Sequence, residues 1–166
     1  MISPETLRRY SFFACLTYDQ IVTLAMAGQL LDIEAGGYFF HEGDNLDSLF
    51  FVLEGNIDIA IGIPDRTIKQ HVHDQIMGNF IAEDVTVSTV SPGQIFAWSA
   101  LIPPHVSTAS AKATLPSRVI SFDCEALMQA FQKDCIFGNL MLQKIAVVIR
   151  QRLRNMHIQS LAFIPA

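Results

Sequence analysis

Between Tyr38 and Phe122 the chain is cut into short runs of β-branched and aromatic residues separated by turn residues. That texture predicts strands. Tyr38–His41 reads as one strand, the continuous apolar run Leu49–Leu53 as the next, and the alternating run Ile57–Ile61 as a third. Turns fall at Glu42–Asn45, Glu54–Asn56 and Gly62–Asp65. Arg66–Ile76 predicts another strand, with Thr67, Lys69, His71 and His73 on one face. Met77–Val85 fits a loop, and Thr86–Val90 and Arg118–Phe122 fit strands. Many short strands at regular spacing imply a barrel or jelly-roll-like β-fold.

The flanks follow a helical period instead. Ser3-Pro4-Glu5 is a cap with proline at the first helical position. Leu7–Tyr10 follows as a short helix, then Phe12, Phe13 and Leu16 as an apolar clamp. Thr17 and Gln20 form a capping box. The helix it opens places Ile21, Leu24, Ala25 and Gly28 on one face, and Gly36-Gly37 breaks the pattern. After the strands, Asp123 caps a helix carrying Leu127, Met128 and Phe131. Asp134 caps a long one running from near Cys135 to near Ser160. Leu142, Ile145, Val148, Ile149, Leu153 and Met156 form its main apolar stripe, with Phe137, Leu140, Met141 and Ala146 elsewhere around it. More than one apolar face predicts one side packed on the β-domain and another on a second copy, a homodimer through this helix.

The centre of the chain is Ser91–Ala111. Pro92-Gly93 turns the chain, Phe96–Ile102 suits one buried turn of helix, Pro103-Pro104 stops it, and Ser107–Ala113 alternates as a half-buried strand. A short helix whose first N–H groups face a cavity beside small side chains can hold an anion. The expected donors are the backbone N–H groups of Trp98, Ser99 and Ala100, with hydroxyl contacts from Ser107 and Thr108. The full set of expected pocket residues is Phe96, Ala97, Trp98, Ser99, Ala100, His105, Ser107, Thr108 and Ala109.

Composition narrows the function. Half of the 166 residues are hydrophobic, 16% are charged, and the net charge is -5. A globular domain with an acidic balance is not a duplex-binding surface, so no direct DNA binding is expected. No apolar run approaches a membrane span and the N-terminus has no signal peptide, so the expected location is the cytoplasm. Cys15, Cys124 and Cys135 form no paired motif and read as reduced, mostly buried thiols. No catalytic constellation or nucleotide-binding glycine loop is legible, so no enzyme activity is expected.

Three segments give the arrangement a likeness. Phe40-His41-Glu42-Gly43-Asp44, Phe51-Val52-Leu53-Glu54-Gly55 and Ser91-Pro92-Gly93-Gln94-Ile95-Phe96 follow one another in a helix–β–helix order. From about Leu7 to about Leu161 the chain resembles the cyclic nucleotide-binding domain family. The resemblance implies an α+β fold: a β-roll (double-stranded β-helix) over 38–122, N-terminal helices over 3–34 and C-terminal helices over 123–161, all one domain. It also implies that the central stretch is a phosphate-binding cassette, in which an arginine holds the cyclic phosphate and a glutamate the ribose. Here the family's Gly-Glu pair falls on Ala97-Trp98, and its arginine falls on Ser107. A serine cannot replace a guanidinium fork on phosphate. Cyclic AMP and cyclic GMP are therefore ligands the fold implies and the cassette lacks the charges for. Five residues, 162–166, follow Leu161, so the helix-turn-helix common in the family is not expected in this chain.

The expectation is a regulatory sensor domain with a degenerate cassette, taking at most an altered small anionic ligand. Trp98 is expected to fill the cavity. His105, Lys112, Arg150, Arg152 and Arg154 are the cations near enough to compensate, and each reads more simply as solvated charge. One alternative is a ligand-free interaction or dimerisation module acting on a protein partner. Another is a cupin-like metalloprotein using His71 and His73 with His41 or Glu83; the spacing that would complete a cupin motif is missing, and no metal is expected.

Overall fold

The computed structural model describes residues 2–64 and 82–162. The chain opens with α1 (Pro4–Arg8), a 3-10 turn at Ser11–Phe13 and α2 (Tyr18–Ala27). The strands are β1 (Gly28–Ile33), β2 (Tyr38–Phe40), β3 (Ser48–Glu54), β4 (Ile57–Pro64), β5 (Ala82–Val90), β6 (Ile95–Phe96), β7 (Ser110–Ala113) and β8 (Ser117–Asp123), with a 3-10 turn at Trp98–Leu101. Helices α3 (Cys124–Lys133) and α4 (Cys135–Ala162) complete the chain.

Two antiparallel four-stranded sheets, β1-β8-β3-β6 and β2-β7-β4-β5, make the β-roll. Strand alternation builds two cores from one apolar run. Leu49 and Phe51 point to the helices and pack with Ile95, Ile120, Phe122, Leu24, Leu127 and Phe137. Phe50 and Val52 point into the roll and pack with Phe96, Val119, Phe40, Ile57 and Val90. β3 is thus apolar from Leu49 to Leu53 because both of its faces are covered. Each fully buried side chain of this size contributes about 1.5–3 kcal/mol.

The predicted caps form. Thr17 accepts from the Gln20 amide at 3.3 Å while Gln20 Oε1 accepts from the Thr17 amide at 3.0 Å. Asp123 accepts from Ala126 N–H at 3.0 Å and Asp134 from Phe137 N–H at 2.9 Å. Pro4 opens α1, but the Ser3 side chain makes no capping bond.

Several boundaries differ from those the pattern predicts. The N-terminal helices end at Ala27, and Gly28–Ile33 is a strand paired with β8. The ladder with β8, from Gly28 opposite Phe122 to Ile33 opposite Ser117, fixes it as strand, and Gly28 is closely packed there: a Cβ would lie 2.6 Å from Ile2 Cδ1. The strand predicted over Ser107–Ala113 begins at Ser110, because Ser107 hydrogen-bonds to the 41–44 loop instead. β4 runs on through Pro64, and Ala82–Val85, expected as loop, belongs to β5. The strand predicted at Arg66–Ile76, with His71 and His73, lies outside the described residues.

Helix α4 sorts its apolar residues differently from the predicted stripe. Phe137, Met141 and Ile145 are buried and Val148 and Ile149 are partly covered, whereas Leu142, Val147, Leu153 and Met156 are exposed. The thiols also differ: Cys124 is buried, but Cys15 and Cys135 are exposed.

Candidate functional site

The site is built where the 91–109 segment crosses the mouth of the roll. A turn closed by Ser91 and Gln94 delivers the chain to β6, whose Ile95 and Phe96 pair with Phe51 and Phe50 of β3. Ala97 then adopts φ 64°, ψ 31°, the left-handed conformation. An L-residue with a Cβ meets a cost of about 1–2 kcal/mol there. The bend starts the 3-10 turn, and the Ala97 carbonyl accepts from Ala100 N–H at 3.1 Å. Ala100 is thereby occupied as a donor, while the first N–H groups, of Trp98 and Ser99, lack an acceptor within the turn.

The 41–46 loop straps the exit of this segment. Ser107 N–H donates to the Asp44 carbonyl at 2.8 Å, Gly43 N–H to the Ser107 carbonyl at 3.0 Å, and Leu46 N–H to the His105 carbonyl at 2.8 Å. The Ser107 hydroxyl, buried, donates to the His41 carbonyl at 2.6 Å. Its single O–H is therefore used for loop closure and not for a ligand.

Six of the nine expected residues come together. Ala97, Trp98, Ser99, Ser107, Thr108 and Ala109 line one cavity of about 40 Å³, joined by Phe40, Leu46, Ile59 and Arg152. Three others are elsewhere. Phe96 lies in the core of the roll, stacked on Phe50 with 17° between the rings. Ala100 is buried on the helix side. His105, exposed, places Nδ1 2.8 Å from the Ala100 carbonyl and lines a separate groove of about 510 Å³ beside Asp47, Asp123 and Glu125. Lys112 is also turned away, its ammonium 5.0 Å from the centroid of the Tyr38 ring.

Arg152 is the residue that the sequence reading placed wrongly. It is not on a solvated face. Its guanidinium carbon lies 4.4 Å from the centroid of the Trp98 ring, and one terminal nitrogen donates to the Ile95 carbonyl at 2.7 Å. Burial lowers its pKa to about 10, which leaves it protonated at neutral pH. The contact is a cation–π pair in a partly buried place, worth about 1–2 kcal/mol. A signal was present in the sequence: the buried series Phe137, Met141, Ile145 and Val148 continues at helical spacing to residue 152. An arginine in a buried stripe needs a partner inside.

Trp98 and Arg152 both line the cavity, one from the 3-10 turn and the other from α4. A pocket for a molecule of nucleotide size has a volume of roughly 300 Å³ or more, far above the cavity found here. Among the described residues no group of three or more His, Cys, Asp or Glu side chains is arranged to hold a metal ion, and no helix is long and apolar enough to cross a membrane.

The comparisons with known proteins bear on this geometry. The family profile described as the cyclic nucleotide-binding domain matches residues 30–134. A crystal structure of a putative cyclic nucleotide-binding protein from Geobacter metallireducens GS-15 is similar at 30% identity and TM-score 0.73, over 92% of this chain and 99% of that one. A cyclic nucleotide-binding domain from Methylobacillus flagellatus KT is similar at 20% identity and TM-score 0.75, over 98% of this chain and 82% of that one. The sensor domain of the transcriptional regulator DNR from Pseudomonas aeruginosa is similar in fold at 18% identity and TM-score 0.67, over 90% of each chain. No curated protein sequence matches significantly.

Proposed function

This chain belongs to the cyclic nucleotide-binding domain family, and from that premise we propose that it is a regulatory domain whose cassette is closed to cyclic nucleotides. One observation carries the reading. The Arg152 guanidinium lies over Trp98, and both line a cavity of about 40 Å³ beside Ser107 and Thr108, which supports exclusion of a nucleotide. The chemistry agrees with the sterics. Ser107, at the family's arginine position, spends its hydroxyl on the His41 carbonyl. Trp98, at the family's glutamate position, offers a ribose no charged acceptor.

The role left to such a domain is regulatory rather than catalytic. Its output surface is the exposed apolar side of α4, where Leu142, Leu153 and Met156 are 52%, 52% and 41% exposed. Their spacing of 11 and 3 residues keeps them on one side of the helix. We propose that two copies of the chain meet there.

A thermal-denaturation series tests the ligand part. A ligand that binds the native state raises the midpoint in proportion to its occupancy. Cyclic AMP and cyclic GMP at millimolar concentration are expected to leave the midpoint unchanged. A rise of several degrees with either nucleotide would defeat the reading.

A further inference from the structure

Among the described residues, Arg152 carries a charge that no carboxylate neutralises. Among the described residues the ion pairs are Arg8–Glu5 and Arg118–Asp32, and no carboxylate pairs with Arg152. Its protein partners are a carbonyl oxygen and the face of an indole. A guanidinium has five N–H donors, and the Ile95 carbonyl occupies one of them. A partly buried cation without a counter-charge is costly unless something supplies one.

The cation stands on the wall of a cavity whose size restricts what that something is. About 40 Å³ exceeds the roughly 10–15 Å³ that one water needs and admits a group of a few atoms. Ser99 and Thr108 are at its lining, and Ser107 has spent its proton on His41. The guanidinium carbon lies over the Trp98 ring, and the N–H groups not bonded to the Ile95 carbonyl are its remaining donors. A guanidinium edge matches a flat group with two oxygens.

We propose that this cavity binds a small planar oxyanion, a short carboxylate or bicarbonate, with Arg152 of α4 as its charge partner. The inference rests on the reading that nucleotide is excluded and names what takes its place. Its consequence is regulatory. The charge that holds the anion belongs to the helix that carries Leu142, Leu153 and Met156, so occupancy and the placement of that helix are linked.

Trp98 is the single tryptophan of the chain and touches the proposed donor, so its fluorescence reports the site directly. The full chain is titrated with sodium acetate, formate and bicarbonate at constant ionic strength, balanced with chloride. The expected result is a saturable change for acetate and formate, for bicarbonate, or for all three, half-maximal at roughly millimolar concentration as befits so small a ligand. The responding anion identifies the source. Arg152→Gln weakens the response about 10-fold or more, and Arg152→Lys, which keeps charge without the fork, falls between. No saturable change in the wild type with any of the three, or a response that survives Arg152→Gln, overturns the proposal. If Arg152→Gln does not fold, the wild-type thermal midpoint decides: it rises with the responding anion and not with chloride, and no rise overturns the proposal. A saturable response to micromolar cyclic AMP in the same cuvette overturns the nucleotide-exclusion reading instead, so the two failures are distinguishable.

Discussion

The side-chain amide of Gln20 donates to the Asp134 carboxylate at 2.9 Å, across 114 residues of sequence. The same Gln20 closes the capping box of α2, and the same Asp134 caps α4. One contact therefore ties the start of α2 to the start of α4.

That contact makes a prediction about acid. The hydrogen bond from Gln20, and then the one from the Phe137 amide, hold the Asp134 carboxyl below its ordinary value of 3.8. A depressed carboxyl contributes stability that is present above the unfolded-state value and is lost as pH falls through the folded one. The urea midpoint is expected to fall below about pH 4, and Asp134→Asn is expected to remove part of that fall. A part remains because Asp32, held down by Arg118, titrates in the same direction. An unchanged acid limb in Asp134→Asn would contradict the assignment.

Thiol reactivity should separate the cysteines. Burial raises the Cys124 thiol to about 12, so almost no thiolate forms at neutral pH. Cys15 and Cys135 are exposed. A thiol reagent at pH 8 is expected to modify two of the three cysteines in the native protein, and the third only after denaturant. Three equally fast thiols would contradict the packing around Cys124.

Two backbone positions should respond oppositely to exchange of glycine and alanine. Ala97 holds a left-handed φ of 64°, so Ala97→Gly is expected to raise stability by about 0.5–1 kcal/mol after the entropy cost of glycine. Gly55, at φ 87°, has no room for a Cβ: it would collide with Ser117 Oγ and come within 2.7 Å of Ser117 Cα. Gly55→Ala is expected to cost about 3 kcal/mol or more. Chemical denaturation of both variants measures the pair.

The proposed dimer is tested at Leu153, exposed on α4. Leu153→Glu places a charge on the apolar side and should shift sedimentation from dimer to monomer without lowering the monomer's stability. A wild type that is monomeric at high micromolar concentration would exclude the interface.

Much of the fold was legible because its signals are local. The capping residues Thr17, Gln20, Asp123 and Asp134 act within one turn of where they sit. The predictions that missed are those settled by distant contacts. Residues 28–33 read as helix until β8 is beside them. Ser107 reads as strand until the 41–44 loop takes its hydrogen bonds. The convergence of Ala97, Trp98, Ser99, Ser107, Thr108 and Ala109 on one cavity was legible. What occupies it was not, because Arg152 arrives from a helix that begins 26 residues after Ala109. Its direction depends on which face of α4 is buried. Charge near a helix end looks solvated until the buried series leading to it is counted.

The closure of the cassette is tested most directly by calorimetric titration of the full chain with cyclic AMP, run on the wild type and on the Trp98→Glu, Ser107→Arg double variant. The double variant removes the indole that Arg152 stacks on and restores the two charged side chains the family uses. No saturable heat is predicted for the wild type up to roughly millimolar nucleotide, and micromolar binding is predicted for the double variant. Micromolar or tighter binding by the wild type would contradict the proposed closure of the site by Trp98 and Arg152.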